Sequence, residues 1–182
     1  NTVTVSAGTA TGNVYGAALT AAGAIGQATG NAVTITGGAV TGNVHGAALT
    51  QADAAGEATK NIVNISAGTV GGTVYGAKNA GTGAATGSTI TITGGTLHDV
   101  YGGHAASGAT TGNTVNLGTA DTPAGAAGTP VAAGTSIGNI YGGNQASVTG
   151  NVLNVYDSVT AANVDKFEKV NFNVTANVTA GD

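Results

Sequence analysis

The tightest group of titratable side chains in the sequence is HDVYGGH, His98 to His104, where two imidazoles and the Asp99 carboxylate fall within one short motif. Neutral imidazole and carboxylate are ligands for zinc and related cations, but a protein site supplies three or four converging groups. No further ligand aligns with this motif, so the preferred reading is polar surface residues at a turn, with no metal. The other acids, Asp53, Glu57, Asp121, Asp157, Asp165, Glu168 and Asp182, are scattered. Glycan-cleaving chemistry needs clustered carboxylates, often assisted by Arg, Lys or a cation. With eight acids and four Lys and no Arg at all, the chain is read as a non-enzyme with no catalytic residue and no cofactor.

The more regular feature is aromatic. TGNVYGAALT, Thr11 to Thr20, returns as TGNVHGAALT, Thr41 to Thr50, with a single change. The same short motif recurs as GTVYG, HDVYG and GNIYG, which places Tyr15, His45, Tyr75, Tyr101 and Tyr141 at equivalent positions. Alternation along a strand would turn Val14, Val44, Val74, Val100 and Ile140 inward and this Tyr/His column outward. A Tyr-to-His exchange is easy on such an outer column and hard in a core. The column is therefore the candidate contact surface, able to stack on sugar rings or to pack against a neighbouring molecule.

Six units position these residues. Each opens on a strand signature of alternating Val, Ile and Thr, namely NTVTV, NAVTI, NIVNI, STITI, NTVNL and NVLNV, starting at residues 1, 31, 61, 88, 113 and 151. One face carries Val3, Val33, Val63, Ile90, Val115 and Leu153, and the other Thr4, Thr34, Asn64, Thr91, Asn116 and Asn154. Corners reading Thr-Gly-Asn or a near variant precede the units. Gly there permits positive φ, and Asn can hydrogen-bond the next corner, so these positions should form a ladder. Strands repeating in one direction at such spacing require parallel pairing. The fold expected is all-β, a right-handed parallel β-helix (β-solenoid) of about six coils. A helical reading of AALTAAGAIGQAT fails on its interior glycines, each costing about 1 kcal/mol relative to Ala.

Residues 1–150 form the repeat region, with an insertion at about 119–133 that holds both prolines and should project as a loop. Residues 151–182 form an atypical end. After NVLNVYDSV there is no Tyr-Gly strand, and the stretch from Phe167 to Ala180 alternates instead. Phe167, Val170, Phe172, Val174 and Val178 are its candidate assembly residues, serving either as a cap or as a strand donated to the open edge of another copy. Head-to-tail pairing of that kind builds filaments when its rotation does not close.

Composition excludes several classes. Charged residues are only 7% of the chain and the net charge is -4, which argues against nucleic acid. No apolar run approaches the ~20 residues of a membrane-spanning helix. Cysteine is absent, so no disulfide braces the fold. Gly at 33 of 182 residues lacks the collagen rhythm. Low charge suits a stack, because like charges set directly above one another repel. Asn-x-Ser/Thr matches at Asn64, Asn173 and Asn177 arise by chance where Asn and Thr alternate.

Repeats of the form NxVxI followed by GNVYG, closed by FEKVNF at Phe167 to Phe172, resemble the passenger regions of bacterial autotransporter and haemagglutinin-like adhesins exported by type V secretion. The resemblance implies a β-solenoid that is secreted or held at the bacterial cell surface. It also implies a role in adhesion, aggregation or fibre formation. Partners would be further copies of the chain, end to end, and a host or bacterial surface glycan or protein. Two alternatives remain, a polysaccharide-active β-helix and an ice-binding face. Thr2-x-Thr4 and Thr89-x-Thr91 fit the latter, whereas Ala32, Ile62, Asn64, Asn116 and Val152 interrupt the row.

Overall fold

The computed structural model describes residues 1–120 and 128–173. Every regular element among them is a strand, and every strand pairing is parallel. The alternating segments pair in sequence order: Thr2–Val5, Ala32–Val40, Ile62–Val70, Thr89–Ile92, Thr114–Leu117, Val152–Val155 and Lys169–Phe172. Register follows the sequence repeat, with Val3 on Val33, Val33 on Val63, and Val63 on Ile90. This all-β arrangement, one large parallel sheet of many strands, is consistent with a β-solenoid.

Faces fall where alternation places them. Val33, Ile35, Val63, Ile65, Ile90, Ile92, Val115, Leu117 and Leu153 are buried in the main core. Thr34, Asn64 and Thr91 lie on the opposite face. There the side chains bond along the stack, Asn116 to Thr91 at 3.3 Å, Asn154 to Asn116 at 2.9 Å and Asn171 to Asn154 at 2.8 Å.

The corners form the expected ladder. Gly30, Gly87, Gly112 and Gly150 adopt positive φ, and Lys60 takes the same conformation at φ 54°. The following side chain is buried and reaches to its counterpart one unit away. Asn31 N donates to Asn61 Oδ1 (3.0 Å), Asn61 N to Ser88 Oγ (3.2 Å), Ser88 N to Asn113 Oδ1 (3.0 Å), and Asn113 N to Asn151 Oδ1 (3.0 Å). A buried amide is costly unless paired, and pairing between equivalent positions penalises any slip of register.

Three features depart from the sequence reading. First, the strand holding the Tyr/His column does not stop at the Tyr-Gly pair but runs on as Val44–Leu49, Val74–Asn79 and Val100–Ala105. Second, the Gly/Ala/Thr connections contain a small sheet of their own, Ala28–Thr29, Ala58–Thr59 and Ala85–Thr86. Their alanines pack with Ala47, Leu49, Ala54, Ala77 and Ala105 into a second core. Third, a strand does stand where the Tyr-Gly motif is missing. Thr160–Asp165 pairs with Ser136–Tyr141 and sets Val164 on Ile140 and Asp165 beside Tyr141. It keeps the apolar step and discards the aromatic one.

The insertion is tied down at its base. Thr119 N donates to Thr129 O, Val131 N donates to Asp157 Oδ2, and Val131 joins the main core. Its middle, residues 121–127, lies outside the described residues.

Candidate functional site

The Tyr/His column is a continuous stack. Ring centroids are 4.6 Å apart for Tyr15–His45, 5.0 Å for His45–Tyr75, 5.6 Å for Tyr75–Tyr101 and 4.6 Å for Tyr101–Tyr141, all near parallel. Parallel pairing at about 4.8 Å per strand dictates that spacing. Successive rings therefore occupy one another's faces. An internal ring has no free face on which a sugar could stack, so only ring edges and hydroxyl groups of the column can face outward.

A second row lies beside it, produced by the strands running on past the glycine. Ala18, Ala48, Lys78 and His104 occupy one register position in successive strands. His104 meets Tyr75 and Tyr101 edge-on at 5.5 and 5.3 Å, and the Lys78 ammonium lies 4.8 Å from the Tyr75 centroid. This row covers the middle of the column. His45 is 3% exposed and Tyr75 9%, whereas Tyr15, Tyr101 and Tyr141 are half-buried. The exchange of Tyr for His at residue 45 was expected on an outer position, and it is in fact a buried one.

Burial has electrostatic consequences. His45 is pushed down to about 3, first by desolvation and then by the Lys78 charge. His104 is lowered by the same two causes in the same order. Burial also raises Tyr101, with Tyr141, Asp99 and Tyr75 adding to it. Nδ1 of His45 and of His104 are both sealed from solvent without a hydrogen-bond partner.

A base whose folded pKa lies below its unfolded value contributes stability in full above the unfolded value and loses it as pH falls toward the folded one. For His45 that window runs from about 6.5 down to about 3. Within it the stability of the chain is expected to fall by up to about 1.4 kcal/mol per pH unit on account of this residue. His45→Tyr, which copies the neighbouring units, should flatten that slope in chemical denaturation measured across the window. An unchanged slope would mean that His45 is not held neutral by the fold.

The HDVYGGH group is only partly assembled. His98 Nδ1 lies 3.3 Å from Asp99 Oδ2, while Asp99 Oδ1 accepts from Asn139 N (3.0 Å) and Nδ2 (2.8 Å). His104 instead belongs to the aromatic cluster. Among the described residues no three His, Cys, Asp or Glu side chains converge.

Of the candidate assembly residues, Phe167 is half-buried and packs against the main core. Val170 and Phe172 stack in register on Leu153 and Val155 yet are 41% and 73% exposed. Val174 and Val178 lie outside the described residues.

Fold and column together describe an all-β protein whose parallel sheet stacks like side chains at strand spacing. No protein-family model, curated protein or solved structure matches the chain.

Proposed function

We propose that this chain is a structural, non-enzymatic β-solenoid, right-handed and of about six coils. It acts outside the cell or at the bacterial cell surface in adhesion, aggregation or fibre formation. The observation that carries this reading is parallel, in-register pairing that continues through to Lys169–Phe172, where Val170 and Phe172 are exposed although the positions they extend are core positions. Among the described residues this is the outermost strand at its end of the ladder, and an outermost strand is a template for another, so that one copy can complete the ladder of the next. The contact between copies is heterologous and favours filaments. The hydroxyl edges of the Tyr column provide a second, lateral surface for a glycan or protein partner.

Electron microscopy of the concentrated chain tests assembly directly. Filaments are expected from the intact chain and not from one ending at Val164. Fibres that survive the deletion, or an intact chain that stays monomeric at high concentration, would overturn assembly through this edge. Binding of the intact chain to cells, lost in a Tyr101→Ala/Tyr141→Ala variant, is the expected result for the lateral surface.

A further inference from the structure

The repeat departs from itself at two places that face one cleft. Three successive units read YGAAL, HGAAL and YGAKN from Tyr15, His45 and Tyr75. Of the three changes, Asn79 is buried, and the two that face the cleft are His45, where the units on either side have Tyr, and Lys78, where the two preceding units have Ala48 and Ala18. A histidine ring lacks the outer half of a tyrosine, so the aromatic stack is notched at residue 45. Both His45 and Lys78 line the resulting cleft of about 220 Å³, together with Asn13, Tyr15, Asn43 and Thr50.

The side-chain hydrogen-bonding capacity left in this cleft is mainly donating, the chief remaining acceptor being the Thr50 hydroxyl, which gives its own proton to Leu19 O at 3.4 Å. Asn13 Oδ1 already accepts from Asn43 N at 2.8 Å, and Asn43 Oδ1 from Thr73 N at 2.8 Å. Tyr15 Oη accepts from Asn13 Nδ2 at 2.8 Å and keeps its own proton to give. His45 Nδ1 is sealed without a partner. A neutral ring carries one proton, and placing it on Nε2 puts a donor toward the cleft in place of an orphaned N–H in the wall. The Lys78 ammonium adds the only formal charge, and no Asp or Glu lines the space. Ala48, Leu49 and Ala80 supply an apolar wall.

One ammonium among neutral donors matches one negative charge better than two, which favours a carboxylate over a phosphate dianion. The volume lies below that of drug-sized sites and suits a single sugar ring. We propose that the notch at His45 binds the carboxylate of a hexuronic acid residue, with Lys78 as the charge partner and Tyr15, Asn43 and His45 as neutral donors. This rests on the reading of the chain as a contact surface and names the ligand class for that surface.

Isothermal titration of the intact chain with glucuronate, glucose and acetate tests it. Glucuronate is expected to saturate with a Kd of about 1 mM, and glucose and acetate to bind roughly tenfold more weakly or worse. Lys78→Ala and His45→Tyr each restore the residue of a neighbouring unit, so both should fold, as circular dichroism will show. Each is expected to weaken glucuronate roughly tenfold or more. Equal binding of glucose or acetate, affinity unchanged in both variants, or no saturation by glucuronate would overturn the proposal. If a variant does not fold, NMR of the intact chain decides instead, and glucuronate must then shift the His45 and Lys78 signals. Cell binding that persists in folded variants deaf to glucuronate sinks the notch as the adhesive site while leaving the adhesive reading standing.

Discussion

Gly102→Ala is expected to cost about 3 kcal/mol or more, lowering the thermal midpoint by roughly 10 °C for a chain of this size. Gly102 follows Tyr101 and belongs to the column Gly16, Gly46, Gly76, Gly102 and Gly142, where each strand turns from the main core toward the alanine core. A Cβ placed there would stand 2.7 Å from the Gly142 carbonyl oxygen and 2.7 Å from Asn113 Cβ. Neither neighbour can yield cheaply. The carbonyl is backbone just past the neighbouring strand Ser136–Tyr141 and accepts from Gly103 N, and Asn113 is fully buried in the corner ladder, where its N donates to Asn151 Oδ1. The constraint is steric, since Gly102 is not among the glycines at positive φ. Gly12→Ala is the matched control, because a Cβ at Gly12 meets nothing within 4 Å. Thermal denaturation followed by circular dichroism compares the two. Similar midpoints for both variants would mean that the strands are spaced more loosely at this column than the structure describes.

These glycines mark how far the sequence could be read. The first strand ladder was legible because large β-branched residues alternate with Thr and Asn, and because a one-residue slip would exchange buried and exposed faces. The corner ladder was legible because Gly followed by Asn has a single economical conformation at a sharp turn. Lys60 shows that position outweighing residue type, since it adopts φ 54° where other corners use Gly.

The alanine core was not legible. Ala28, Ala58 and Ala85 sit among Gly and Thr, without the large apolar side chains whose period reveals a strand. The burial of His45 was hidden for a related reason. It depends on the flanking rings of Tyr15 and Tyr75 and on Lys78, which reaches the column only because the strand runs on past its glycine, and the Tyr-Gly motif gives no sign of that. Thr160–Asp165 escaped notice because only Val164 survives from the motif, and pairing with Ser136–Tyr141 identifies it. The cleft was half visible. The change at residue 45 stands out in the sequence, but its juxtaposition with Lys78 requires the register of adjacent strands.

Val63→Asp is expected to be at least as damaging as the glycine substitution, at about 4 kcal/mol or more, and it tests the register on which every other placement depends. Val63 is fully buried, stacked between Val33 and Ile90 in the middle of the main core. An aspartate there would meet no cation within the apolar column and have no access to solvent, Val63 being fully buried. It must remain protonated, with its hydroxyl unbonded, or carry a buried charge. The partner experiment is Thr34→Asp, one residue along the strand from Val33 and on the opposite face, where Thr34 is only half-buried and its register neighbours are Thr4 and Asn64. Here the carboxylate keeps access to solvent and meets no like charge above or below, so the cost should stay within about 1 kcal/mol. The contrast also depends on pH. Raising pH from 4 to 8 should deepen the loss for Val63→Asp, since ionisation is favoured only in the unfolded chain, and leave Thr34→Asp nearly unaffected. Equal thermal destabilisation of the two variants at neutral pH would mean that the strand faces are reversed, and the aromatic column and the cleft at His45 would lose their placement with them.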